Sequence, residues 1–88
     1  MYFIDSKECA SEKFYPKKKS IAHQRQAFLD AQRHGNQGGF VVWFTKSDPT
    51  GNNLRFITDM DSPATIDSGV RFEYSTFFGE LNRMYGAD

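Results

Sequence analysis

The sequence predicts a small α/β domain, a mixed sheet of three or four strands with one crossover helix and one closing helix. Three observations carry that expectation. A strand-like stretch, Tyr2 to Cys9, comes first; a stripe of inward residues at helical spacing, Ile21, Gln24, Phe28 and Ala31, follows; then comes the continuous apolar run Phe40-Val41-Val42-Trp43-Phe44-Thr45. Strand, helix and buried strand in that order make a βαβ-like unit, which favours a parallel, right-handed crossover. With 88 residues there is room for one core, so the chain reads as a single domain.

The first strand carries the chemistry. Side chains alternate faces along a strand, so Asp5 and Lys7 point one way and Ser6 the other. A carboxylate beside an ammonium on one face can hold a divalent cation and stabilise charge on a phosphate. Ala10 to Lys19 reads as a polar connection, with Tyr15-Pro16 and the run Lys17-Lys18-Lys19. Those lysines suit either a solvated loop or contacts to phosphate. Phe14 and Tyr15, read as exposed, suit either stacking on bases or a lid over the core.

Ser20 is placed to cap a helix from Ile21 to about His34, and Gly35 to end it in a left-handed conformation. Gln24 falls on the inward stripe, where an amide needs partners. It suits either a structural hydrogen bond or a role in an active site. Gly38-Gly39 reads as a turn into the apolar run, whose lack of alternation marks a strand covered on both faces. Asp48-Pro49-Thr50-Gly51-Asn52-Asn53 is a turn signal, and Leu54 to Thr58 the return strand of a hairpin. Residues 59 to 69 read as irregular. Val70 to Tyr74 alternates like a short strand. Ser75 suits the cap of a last helix over residues 76 to 85, with Phe77, Phe78, Leu81, Met84 and Tyr85 as its docking face or a dimer contact, and Gly86 as its end.

Composition excludes several classes. Lys+Arg and Asp+Glu each number 11, so the chain is not a uniformly basic nucleic-acid binder, although a local basic patch remains open. A single cysteine, Cys9, forms no internal disulfide, so an oxidising compartment is not required. Acidic and basic residues from Asp5 onward argue against a signal peptide, and no apolar run approaches ~20 residues. The expectation is a soluble, cytoplasmic protein that does not enter a membrane. His23 and His34 lack the cysteine pairs of a zinc site. Cys9 with His23 lacks the third group that would orient a thiol nucleophile. No glycine-rich phosphate loop is present.

An acid-x-Lys triplet alone is expected by chance about once in ~140 residues, so its context matters. Here it ends an apolar strand and is followed by Tyr15-Pro16, by Ile21-Ala22-His23-Gln24, and by the segment from His34-Gly35 to Phe44. In that order the chain resembles the PD-(D/E)xK nuclease superfamily, and within it the RecU-type Holliday junction resolvases. Arg71-Phe72-Glu73-Tyr74 is a weaker echo. The likeness spans about two thirds of the chain. It implies a truncated restriction-endonuclease-like core and metal-dependent hydrolysis of phosphodiesters in branched DNA. Asp5 would be the metal-binding acid, the Ser6 carbonyl a further ligand, and Lys7 the group that orients water and stabilises the phosphate. Gln24 would sit at the edge of the site. Lys17, Lys18, Lys19 and His23 would lie near the DNA backbone. The metal would be Mg²⁺ or Mn²⁺, and symmetric cutting would call for a homodimer.

One feature of the family is missing. It uses another acid upstream of the (D/E)xK strand, and only Met1 to Ile4 precede Asp5. Glu8, on the opposite face, and Glu12, in the loop, are poor replacements. A partner chain supplies the acid, the chain is an incomplete relative, or it no longer cuts. The alternative function is therefore an inactive nuclease-like DNA-binding module, or a half-domain that docks on a larger partner.

Overall fold

The structure, a computed structural model, describes residues 2–72. Its elements are β1 (Tyr2–Cys9), a 3-10 turn (Lys19–Ile21), α1 (Ala22–Arg33), β2 (Gln37–Phe44), β3 (Leu54–Ile57) and β4 (Val70–Phe72). The strands lie in the order β1-β2-β3-β4. β1 runs parallel to β2, and the two hairpin pairings that follow are antiparallel. This is the mixed four-stranded α/β sheet that the sequence predicts. The expected closing helix, its Ser75 cap, and Glu73 and Tyr74 lie outside the described residues.

Alternation divides the sheet into two faces. On the α1 side, Asp5 stands opposite Phe40, Lys7 opposite Val42 and Cys9 opposite Phe44. Phe28 of α1 meets Phe40 edge-on, with ring centroids 4.8 Å apart and planes at 90°. Phe14 meets the same ring at 5.1 Å. Val42, Phe44, Ile57, Met60 and Ala64 complete this core. Each such aliphatic or aromatic side chain contributes about 1.5–3 kcal/mol on leaving water. On the other face Val41, Leu54 and Phe56 are buried, with Ile4 and Trp43 packed against them. Burial on both faces explains why β2 shows no polar alternation.

Three local expectations need correction. Gly38 and Gly39 are not a turn; they lie within β2. A β-carbon at Gly38 would stand 2.9 Å from the Phe28 carbonyl oxygen, and one at Gly39 would collide with the carbonyl of Ile57. The glycines are there so that α1 and β3 can approach the strand closely. The turn falls instead at Gly35, whose φ is +80°. Asn36 N–H donates to Ala31 O at 2.9 Å and Gly35 N–H to Gln32 O at 3.0 Å, the paired bonds of a Schellman ending.

Ser20 does not cap the helix. The chain enters α1 through the 3-10 turn, where Ile21 N–H donates to Lys18 O, so Ile21 occupies the cap position with no side-chain bond. Phe14 is not an exposed aromatic. It exchanges two 2.8 Å backbone bonds with Ala64, which pins it into the core, while Tyr15 next to it remains exposed.

Candidate functional site

The site is built on the alternation of β1. Asp5 and Lys7 share the α1-side face, and the Lys7 ammonium lies 2.9 Å from Asp5 Oδ2. Their side chains are 34% and 28% exposed, so the pair is partly withdrawn from water. The contact is an ion pair, and the Lys7 ammonium is the partner that compensates this solvent-shielded oxygen.

Gln24 comes from the facing helix. Phe28 lies over Gly38 and Phe40, and α1 runs back along the strands it connects. One turn of helix before Phe28, ~5–6 Å along the axis, brings Gln24 towards the level of Val42, the register partner of Lys7. Gln24 is half-buried, and its Oε1 is shielded from solvent with no hydrogen-bond partner among the described residues.

The remaining predicted residues spread around the helix entry. Ser6 stands opposite Val41 on the other face of β1, exposed, with its carbonyl in the backbone between the two charged residues. Lys17, Lys18 and Lys19 are all exposed on the approach to α1, and His23 is exposed in its first turn. Lys17 is not an isolated cation: its ammonium is 3.9 Å from Asp61. Arg25 binds the same carboxylate at 2.9 Å and also donates to Met60 O. Glu8 and Glu12 are exposed. Among the described residues, no three His, Cys, Asp or Glu side chains group as metal ligands. The Cys9 thiol packs against the core and contacts the Ser11 and Lys13 carbonyls at 3.4 Å, a structural placement.

Sequence reading singled out nothing in an open cleft of about 300 Å³ at the end of β3, lined by Thr58, Asp59, Ser62 and Ser68 among others. It holds none of the predicted site residues. The Asp61 backbone N–H, 2.9 Å from Asp59, is the main cause that holds the Asp59 carboxyl below its usual range, and partial desolvation opposes it. The local signal is the acid two residues ahead of Asp61, the spacing of a side-chain-to-backbone turn.

Among the described residues, no helix is long and apolar enough to cross a membrane. Compared with protein-family models, with curated proteins and with solved structures, the chain matches none.

Proposed function

We propose that the chain is a metal-dependent endonuclease that hydrolyses phosphodiesters in branched DNA, in the manner of the Holliday junction resolvases. The observation that carries this reading is the Asp5–Lys7 pair at 2.9 Å on the helix-facing side of β1. The donors are hard oxygens: the Asp5 carboxylate, the Ser6 carbonyl and, at the edge, Gln24 Oε1. Such a set suits Mg²⁺ or Mn²⁺ when phosphate and water complete the shell. Bound there, the ion would supply a polarised water and a counter-charge for the phosphate.

The chain's own groups do the rest. Lys7 places a preorganised positive charge where negative charge grows on the phosphorus oxygens. Gln24 Oε1 accepts a hydrogen bond from the attacking water and orients it. Lys18, Lys19 and His23 contact the DNA backbone, with Lys17 joining at the cost of its loose pairing to Asp61.

The test is incubation with a labelled four-way junction and with plain duplex, in Mg²⁺, Mn²⁺ or chelator. Expected is incision that depends on the metal, is abolished in Asp5→Asn and falls at least ~10²-fold in Lys7→Ala. Undiminished cutting by Lys7→Ala would reject its role.

A second reading is a DNA-binding module, or a half-domain docked on a larger partner, with no cutting of its own. Among the described residues no second carboxylate joins Asp5, which is already paired with Lys7, and this favours it. Affinity for DNA that falls steeply with salt, without incision in any metal, selects the module. A stable complex with an acid-bearing partner chain selects the half-domain.

A further inference from the structure

The turn before α1 carries an aromatic side chain that the core does not claim. Residues 14 to 16 alternate inward and outward: Phe14 is 7% exposed, Tyr15 44% and Pro16 under 2%. Lys18 N–H donates to Tyr15 O at 3.3 Å, so Tyr15 to Lys18 close a turn with Pro16 as its second residue, the position for which a fixed φ is pre-set. Both neighbours of Tyr15 are anchored, Phe14 by its paired bonds to Ala64 and Pro16 by burial. The backbone on either side therefore holds the Tyr15 ring outward. Among the described residues it meets no other ring.

We infer that this turn binds single-stranded DNA, with the Tyr15 ring stacked on an unpaired base and Lys18 and Lys19 on the adjoining phosphates. Two chemistries meet there. The residues at the two ends of a turn have Cα atoms less than about 7 Å apart, so Lys18 stands beside Tyr15. Lys18 and Lys19 are exposed and make no ion pair among the described residues. Lys17 is the least available of the three lysines, because Asp61 lies 3.9 Å from it. A π-face beside unpaired cations matches a ligand that offers both a bare base and a phosphate. A duplex offers the phosphates but keeps its bases stacked on one another. Only an unpaired nucleotide uses both halves of this surface.

Preorganisation works in the same direction. The bonds to Ala64 and the buried proline fix the platform before the strand arrives, so little ordering cost is left for binding. A tyrosine ring adds little of its own, since it has few torsions to immobilise. Zero formal net charge gives no global attraction to DNA, so the attraction to phosphate is local to these lysines. The choice of DNA as the nucleic acid rests on the function proposed above. The preference for unpaired bases does not, and it narrows the substrate: in branched DNA the chain would settle where pairing is open.

The experiment is fluorescence anisotropy on the full chain in chelator, which blocks incision, with circular dichroism to check folding. The probes are a labelled thymidylate single strand, longer than the ~4–16 nucleotides a single-strand site covers, and a blunt duplex of the same length. Expected is tighter binding of the single strand. Tyr15→Ala should weaken that binding by about five- to a hundredfold and leave the duplex unchanged, while Tyr15→Phe should bind as the native chain does. Tyr15→Leu keeps apolar bulk without the π-face and should fall with alanine. The double change Lys18→Gln with Lys19→Gln should weaken both probes. Equal affinity for the two probes overturns the inference. So does binding of neither, the result expected if Tyr15 faces a protein partner instead. Single-strand binding that is indifferent to Tyr15→Ala, to Tyr15→Leu or to the lysine pair overturns it too. If the alanine variant loses its fold, the leucine variant and the contrast between the two probes decide. Incision is measured separately, with metal. Single-strand preference without cutting defeats the nuclease reading alone, and cutting without that preference defeats this inference alone.

Discussion

Replacing Gly38 by alanine tests how closely α1 is seated on the sheet. The new methyl would lie 2.9 Å from the Phe28 carbonyl oxygen, 3.1 Å from its Cα and 3.2 Å from its Cβ. Carbon–oxygen contacts settle at about 3.3–3.6 Å and carbon–carbon contacts at about 3.5–4.0 Å. The obstacle is helix backbone and cannot rotate away, so α1 must lift by roughly half an ångström. Overpacking of this kind costs about 1–3 kcal/mol. Loss of glycine's freedom in the unfolded chain returns ~0.4–1 kcal/mol. The net expectation is a loss of roughly 1–2 kcal/mol, seen as a fall in Tm of about 5–15 °C for a domain of this size. Thermal and urea unfolding followed by circular dichroism measure it. A variant as stable as the native chain would refute the seating argument.

Phe40→Ala removes the ring that Phe14 and Phe28 both meet edge-on, and it is fully buried. The expected loss is about 3–5 kcal/mol, a large part of the ~4–13 kcal/mol that 88 residues ordinarily provide, so urea titration should find its midpoint far below the native one. Asp59 has its folded pKa lowered, chiefly by the Asp61 amide, so its contribution is present above the unfolded pKa and is lost as pH falls through the folded one. Asp59→Asn should therefore melt slightly below the native chain at neutral pH and together with it in strong acid. Melting curves across that range check the sign.

Much of the architecture is written locally. β1 is bounded in the sequence as it is in the structure, because period-two alternation and the change to a polar loop are both short-range signals. Phe28 and Ala31 are buried and Ile21 and Gln24 half-buried, as their helical spacing implies. What sequence reading misplaces depends on distant partners. Gly38-Gly39 looks like a turn until α1 and β3 are brought against it. Phe14 sits in a polar stretch and looks exposed, and its burial comes from Ala64, far along the chain. Asp48 is legible as a turn residue. Its burial is not, because that arises when its carboxylate takes the Asn52 and Asn53 amide hydrogens at 3.1 and 2.8 Å. For the site, the shared face of Asp5 and Lys7 follows from alternation alone. The unmet oxygen of Gln24 does not, since it depends on which donors the folded chain leaves within reach.

The double backbone bond between Phe14 and Ala64 has a mechanical side. It is a clasp between the irregular stretches 10–18 and 58–69, and the Arg25 contacts to Met60 and Asp61 add a second fastening nearby. The lysine-bearing loop therefore has no independent hinge. Whatever pulls on Lys17 to Lys19 also loads the 59–69 segment and, through Phe14, the ring of Phe40 that faces the charged strand. A ligand bound at the loop would be felt at β1 as tension in the core, without any domain having to move.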